Sequence, residues 1–473
     1  MTTIETPAGS EAGPIPPAGD QEQERRRLVL YGPMVPALLR LAWPVLVSML
    51  LHTLFNLVDS AWVGRVSPAA LAAVTTARFA FWTLLGFAEM VSVGLTAHVA
   101  RFVGAGDPAA ARRAAAHGLW GSLLIALPFS VSALFLPAWL FGQLSPDPEV
   151  VRNGTVYLQW VFACAPPLFG LIAIEAILRA WGDTRTPMVL TGLALGLNMV
   201  LDPLLILGWG PFPRWEVAGA AVATVVSLGF GCAAAVIVLR RRPASAPRLG
   251  DFSPPWSYLA GILRIGLPTT LDTVLFSMVY LSLSAWVGRL GTSAMAALGV
   301  GNRLESLSYL TAVSLGVAAA TCVGQNLGAG RLQRARRMSL RALGLVTIPA
   351  TFYGLLFLLA GRPLFSIFTQ DPEVQRLGAL FMAILAVSQP FVGWEIVLFN
   401  SYAGAGYTLV PTIISTTVSL LRIPLGYWIV HHTSWGFGGV AWMITVTCML
   451  RAVLLYQIFH RPHWLRARLG GGR

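Results

Sequence analysis

The chain contains no lysine: all 33 residues counted as basic are arginine. A Walker A phosphate loop needs a lysine to reach the β- and γ-phosphates, so direct ATP hydrolysis by that route is excluded, as is any Schiff-base lysine. No histidine opens an H-E-x-x-H run and no serine sits in G-x-S-x-G, which removes two common hydrolytic sites. The four cysteines, Cys164, Cys232, Cys322 and Cys448, all fall inside apolar runs. No two stand at metal-ligand spacing and no disulfide framework is implied, so they read as small packing residues. The adjacent pair His431-His432 reads as part of a solvated outer loop. No enzyme and no cofactor is expected. Charge itself is scarce, at 11% of residues against roughly 25% in a soluble domain.

Apolar sequence fills the space that charge leaves. Hydrophobic residues make up 56% of the chain and the mean hydropathy is +0.68. Long apolar runs recur from about residue 40 to about residue 459, each long enough for a bilayer crossing, which takes about 20 residues. They divide into twelve spans at approximately 38–63, 69–100, 115–140, 153–180, 187–209, 217–240, 259–288, 293–324, 341–361, 375–403, 409–431 and 437–460. The fold class expected is an all-α integral membrane protein.

The arginines are placed unevenly among the connecting segments. Arg25 to Arg27, Arg101, Arg112, Arg113, Arg240 to Arg242, Arg331, Arg334, Arg336, Arg337, Arg461, Arg466 and Arg468 gather on one side, while the opposite loops hold little beyond Arg65, Arg152, Arg214, Arg289, Arg362 and Arg376. The positive-inside rule then puts both termini in the cytoplasm of a cell-membrane protein. The net charge of +13 is topological, because the arginines sit in short loops beside apolar helices; no nucleic acid is expected as partner.

The chain also repeats itself at an offset of 224 residues, the separation of Pro44 and Pro268. Ser60-Ala61-Trp62-Val63-Gly64-Arg65 recurs as Ser284-Ala285-Trp286-Val287-Gly288-Arg289, Gly104-Ala105-Gly106 as Gly328-Ala329-Gly330, and Asp147-Pro148-Glu149-Val150 as Asp371-Pro372-Glu373-Val374. One register held across so many landmarks marks a duplicated half. Six spans per half bring both copies into the membrane the same way, related by an axis along its normal, a pattern of secondary transporters. The expected division is a disordered cytoplasmic tail over 1–28, an N-terminal lobe over 29–242, a Pro-rich cytoplasmic linker over 243–257 and a C-terminal lobe over 258–473. Asp107, Asp147 and Asp371, each followed by proline, read as helix N-caps.

Seven acids fall within the spans: Asp59, Glu89, Glu175, Asp202, Asp272, Glu305 and Glu395. An ionised Asp at a helix centre costs about 2.5–3.5 kcal/mol on insertion scales, so such residues face a cavity or a partner. A proton or a cation can neutralise them, which is the physical basis of a coupling site. Glu89 and Glu305 have Arg78 and Arg303 close in sequence to neutralise them, and Glu175 lies one turn before Arg179. Asp59 stands where the second half has Leu283. Asn198 and Asp202, four apart on one helix face, stand where it has Arg422 and Gly426. The scaffold keeps its symmetry and the charges break it, so function is expected where symmetry breaks. Pro44, inside the first span, permits a bend there and is the candidate hinge.

These residues resemble the multidrug and toxic compound extrusion (MATE) family. The resemblance rests on Pro44 with Asp59, on Gly104-Ala105-Gly106, on the run Leu178 to Pro187, on Asn198 to Asp202, and on Gln325-Asn326-Leu327-Gly328. It implies twelve helices in two pseudo-symmetric six-helix lobes forming a V, alternating access and cation-driven export. It implies a coupling site in the N-terminal lobe, matched by Asp59, Asn198, Asp202 and Thr224, and favours the prokaryotic branch with DinF-type and archaeal members. Other branches place essential acids in the C-terminal lobe, where Asp272 and Glu395 offer a possible second site. The coupling ion could be a proton, which needs one carboxylate, or sodium, which needs several oxygens. The expected partners are amphipathic or cationic small molecules and membrane lipids, and the expected state is a monomer. Phe55, Phe169 and Trp394 could stack on flat substrates, though packing is the plainer role for them. A lipid-linked precursor flippase of the same superfamily is the nearest alternative, kept open by Arg78, Arg303 and Arg422; an ion channel is a remote one.

Overall fold

A computed structural model describes residues 20–252 and 256–467. The described chain is helical: α1 (Asp20–Tyr31), α2 (Met34–Val63), α3 (Pro68–Ala105), α4 (Pro108–Ser132), α5 (Leu136–Leu144), α6 (Pro148–Ala163), α7 (Ala165–Ala180), α8 (Arg185–Ile206) and α9 (Glu216–Arg240) in the first half. The second half holds α10 (Ser257–Gly288), α11 (Thr292–Gly328), α12 (Leu332–Ser366), α13 (Pro372–Ala386), α14 (Gln389–Ala405), α15 (Leu409–Leu420), α16 (Arg422–His432) and α17 (Gly436–Phe459). Among the described residues, ten stretches are long and apolar enough to cross a membrane, or twelve with each of two bent pairs taken as one span, α6 with α7 at 50° and α13 with α14 at 56°. With each bent pair as one span, these correspond to the twelve read from hydropathy.

The two bends depart from the continuous fourth and tenth spans expected. Pro166-Pro167 and Pro390 lie just past them, one repeat apart. Proline lacks the N–H of the helix ladder and its ring crowds the carbonyl four residues back. The third span breaks in the same register: α4 ends at Ser132 before α5 starts at Leu136, and α12 leaves helical geometry at Ala360. The expected N-caps are present. The Asp107 carboxylate accepts from the Ala110 amide at 2.8 Å, Asp147 from Glu149 at 2.8 Å, and Asp371 from Glu373 at 2.8 Å. His431 and His432 lie in the last turn of α16, not in a loop.

The lobes meet along the arginine-rich halves of their helices, from Thr270, whose hydroxyl donates to the Gly86 carbonyl at 3.2 Å, to the helix ends. The backbone of α3 at Gly104 lies against the Gln325 carbonyl of α11, and Gly328 lies against the Arg101 carbonyl; a Cβ at either would overlap that oxygen. Gln325 Nε2 donates to the Ala180 carbonyl at 2.8 Å and Thr321 Oγ1 to that of Arg179 at 3.3 Å. Ala37, Leu38, Leu41 and Ala42 of α2 share a buried core with Ala319, Val323 and Leu398 of the second lobe. Beyond Val45, α2 has no buried residue until Asp59.

The tail expected over 1–28 is helical from residue 20, and residues 1–19 lie outside the described residues. Partners explain the order of α1. Arg25 Nη1 meets Asp183 at 2.8 Å, and Arg242 Nη2 meets the same carboxylate at 2.7 Å. Arg331 Nη1 donates to the Leu30 carbonyl at 2.8 Å and stands 3.8 Å over the Tyr31 ring. Thus α1 touches both lobes at one end. Within the expected linker 243–257, Ser245 donates to Glu22 at 3.3 Å and Arg112 pairs with Asp251 at 3.4 Å; residues 253–255 lie outside the described residues.

Burial would raise the Asp183 carboxyl, but the Thr186 hydroxyl and amide, then Arg25 and Arg242, outweigh it and hold it below its ordinary value of 3.8. A carboxyl depressed in the folded state adds stability above its unfolded value, and loses it as pH falls through the folded one. Asp183→Asn should therefore lower the melting temperature in detergent at pH 7, by the equivalent of roughly 2 kcal/mol once the guanidinium groups' partial exposure is discounted. The deficit should vanish in acid, where the native carboxyl is protonated too. Equal melting of both proteins at pH 7 would remove Asp183 as the anchor of α1.

Candidate functional site

Five helices bring a polar centre together inside the first lobe, near the arginine-poor ends. Asp59 lies four residues before the end of α2 and Asp202 four before the end of α8. One turn earlier on α8, Asn198 faces the same way, as the i, i+4 spacing dictates. Its Nδ2 approaches Thr224 Oγ1 of α9 at 3.5 Å. The four residues matched on sequence therefore form one group. Asp59 is 3% exposed, Asn198 2% and Asp202 0%.

Two further members lie outside the sequence expectation. Arg78 of α3 sends Nη2 to Asp59 Oδ2 at 3.5 Å and to Ser60 Oγ at 3.0 Å. Tyr157 of α6 lies beside Thr224, within reach of the charges of Asp59, Asp202 and Arg78. Both carry the signal that singles out Asp59: at the repeat offset Arg78 faces Asn302 and Tyr157 faces Phe381. The expected pairing of Arg78 with Glu89 fails on distance, because 11 residues along one helix is a rise of about 16 Å.

The centre is short of donors. Asp59 Oδ1, Asn198 Oδ1 and both carboxylate oxygens of Asp202 are buried with no hydrogen-bond partner. Buried acceptors nearly always have one, and a buried carboxylate without a counter-charge is costlier still. Asp59 and Asp202 are close enough for their charges to act on one another, with Arg78 against one oxygen of one of them. The arrangement offers oxygens to a small cation and needs no covalent chemistry. Among the described residues, no three His, Cys, Asp or Glu gather as a metal cluster.

The second lobe holds a different centre, deeper in its helices. Asp272 of α10 accepts from Thr416 Oγ1 at 2.8 Å and from Ser415 Oγ at 3.3 Å, both on α15. Glu395 of α14 lies 3.1 Å from Arg451 Nη2 of α17, at an angle too oblique for a hydrogen bond. Glu305 takes the Gln389 amide at 3.5 Å. Arg303, expected beside it, is exposed and two residues away on the opposite helix face. Arg422 sends Nε to Thr447 at 2.8 Å and Nη2 to Cys448 at 3.1 Å. Asp272 and Glu395 are thus brought into one neighbourhood, with Arg451 between them. Glu175 pairs with Arg179 at 3.4 Å, as its spacing implied, and also accepts from Thr191 at 2.7 Å. Of the aromatic candidates, Phe169 is buried in a lobe core and Trp394 packs against another, donating to Thr347 at 2.7 Å, while Phe55 is half-buried.

A family model, MatE, matches residues 44–204 and again 268–428, starting at the two prolines that set the repeat. The chain is 30% identical to the probable multidrug resistance protein NorM of Thermotoga maritima, over 90% of this chain and 92% of that protein. It is 26% identical to the FAD transporter of Shewanella oneidensis, over 92% of this chain and 96% of that one. A crystal structure of MATE in the bent conformation superposes with a TM-score of 0.88 at 25% identity, covering 95% of this chain and 99% of the other.

Removing a charge from the first-lobe centre should act in opposite directions according to sign. Arg78→Ala takes away the guanidinium beside Asp59 and should lower the melting temperature in detergent at pH 8, by the equivalent of about 3 kcal/mol. Asp202→Asn removes a charge that has no partner and should melt at or above the parent. The reverse order would mean that Asp202 is already satisfied.

Proposed function

This chain belongs to the MatE family of membrane transporters, and from that premise we propose that it is a cation-coupled antiporter, driven by protons or sodium, that exports amphipathic and cationic compounds by alternating access. It is a multi-pass membrane protein and not an enzyme. The observation that carries the proposal is the set of four donorless oxygens on Asp59, Asn198 and Asp202, buried in one lobe. A proton on Asp202, or a sodium ion among those oxygens with Thr224 as a further neutral ligand, relieves what the fold leaves unpaired. The coupling ion is cargo, and binding it needs no resident cofactor.

Alternating access asks that neutralisation at this centre change how the lobes meet. Support comes from the two ends of α2: its first turns share a core with the second lobe, and its last holds Asp59. Pro44 lies where the packed part gives way to the unpacked part, and is the proposed hinge. Here α2 passes through the proline as one helix, and the Ser48 hydroxyl donates to the Pro44 carbonyl at 3.0 Å. The arginine-rich face, where the lobes touch, is proposed to be cytoplasmic with both termini, by the positive-inside rule. The donor-poor centre in the first lobe also favours the DinF-like and archaeal branch. The substrate class follows the name of the Thermotoga maritima relative; the Shewanella oneidensis relative, named as an FAD transporter, shows that named functions vary within this likeness. A monomer holds a complete centre in each lobe.

Proteoliposomes given a proton gradient and a sodium gradient separately, with a panel of dyes and drugs inside, test the proposal. Efflux of at least one compound should follow one of the two gradients. Asp59→Asn and Asp202→Asn should each cut it by at least about tenfold, a loss of roughly 1.4 kcal/mol of coupling free energy, while Asp272→Asn retains it. Undiminished gradient-driven efflux by Asp59→Asn would falsify the assignment of this centre.

A further inference from the structure

We infer that the second lobe carries tethered counter-cations, Arg451 and Arg422, where the first lobe leaves room for a mobile one, so that a single lobe sets the number of coupling ions. This rests on the antiporter reading of the first-lobe centre. At the repeat offset, Asn198 corresponds to Arg422 and Thr224 to Cys448. Their contact survives the exchange: Asn198 Nδ2 to Thr224 Oγ1 at 3.5 Å in one lobe, Arg422 Nη2 to Cys448 Sγ at 3.1 Å in the other. The carboxylates do not survive. Asp59 and Asp202 become Leu283 and Gly426, and a Cβ built on Gly426 would stand 3.2 Å from Leu283 Cδ2. The positions of Asp59 and Asp202 therefore hold no acid in the second lobe, and that of Asn198 holds a fixed guanidinium, with Glu305 within its charge reach.

The acids of the second lobe sit elsewhere. Asp272 is 11 residues before Leu283 on α10, a rise of about 16 Å. Arg451 occupies the register of Ser227 and is 7% exposed. It lies 3.1 Å from Glu395, and its Nη1 donates to Ser419 at 3.0 Å and to Ser415 at 3.4 Å. Ser415 in turn donates to Asp272. The other groups that act here are Glu305, Arg422, Tyr309, Tyr280 and Cys448, all within charge reach of the cluster or of its arginines. Net charge does not separate the lobes: two carboxylates with one arginine, and three with two, both leave one negative charge. Placement separates them. Both oxygens of Asp272 have hydroxyl donors and Glu395 has a guanidinium in contact, whereas both oxygens of Asp202 have nothing. A side-chain guanidinium cannot lose its proton in a protein, so it holds this place permanently.

The test uses the full-length chain with the first-lobe centre disabled as Asp59→Asn/Asp202→Asn, and reads melting in detergent against added sodium and, separately, against a shift from pH 8 to pH 6. With Arg451 present, neither ion should move the melting temperature. Adding Arg451→Gln should lower it, and sodium or acid should then restore it, because a mobile cation replaces the tethered one. Adding Glu395→Gln as well should abolish both the loss and the rescue. A sodium- or acid-induced rise with Arg451 intact would overturn the inference, as would an Arg451→Gln protein that neither ion rescues. Should Arg451→Gln fail to fold, the background with Arg451 intact decides: no response to either ion supports the inference, and a response that Asp272→Asn/Glu395→Gln abolishes overturns it. Failure of the antiporter reading is seen separately, as gradient-independent efflux by the parent protein.

Discussion

A formal charge cannot stand alone in hydrocarbon, and the surroundings of each buried acid in this fold follow from that constraint. Spans made of Leu, Val, Ala and Phe give no water to an ionised side chain, so each buried carboxylate needs a guanidinium, a hydroxyl or a mobile ion. Glu175 has Arg179 and Thr191, and Asp272 has Ser415 and Thr416. Glu395 has Arg451. Asp202 is different because neither oxygen has a donor. Where the other buried acids are provided for, the one left without partners is where an ion has the most to offer.

Duplication supplied the background against which that exception shows. The two halves keep the positions that shape the backbone. Pro44 and Pro268 sit inside matching helices, the bends after α6 and α13 fall just before matching prolines, and Gly104 and Gly328 let the helices approach until backbone meets backbone. No side chain fits at those glycines, so they fix where the lobes touch. The polar residues of the buried centre are under no such steric demand, and there the halves have diverged: Asp59 against Leu283, Asp202 against Gly426, Asn198 against Arg422.

Sequence is a good guide wherever a property depends on neighbours along the chain. Span lengths follow from hydropathy, N-caps from Asp-Pro pairs, and the Glu175–Arg179 pair from helical spacing. It is a poor guide to contacts between helices. Proximity in sequence suggests Glu89 as the partner of Arg78, yet the turn from α2 into α3 folds Arg78 back onto Asp59, 19 residues earlier. Tyr157 comes from α6 and Arg451 from α17, and no local pattern announces either. The bends at Pro166-Pro167 and Pro390 are legible in those prolines, but continuous apolar runs hide them. Residues 20–28, polar enough to resemble a tail, are ordered by partners elsewhere in the chain, chiefly Asp183.

Under the antiporter reading, one unpaired carboxylate is energetically enough to drive the lobes. An ionised Asp deep in a span costs about 2.5–3.5 kcal/mol, and each 1.4 kcal/mol is a factor of ten in an equilibrium, so neutralising it can shift a two-state balance by roughly a hundredfold. Such a shift is useful only if the carboxylate belongs to an element that senses the lobe contact. Among the acids of the first-lobe centre, only Asp59 is on α2, whose opposite end is buried in the second lobe. Asp202, on α8, has no such anchorage but adds its charge to that of Asp59. The two acids therefore play separate parts. Asp202 makes the centre costly enough to attract an ion, and Asp59 connects that cost to the helix that reaches across.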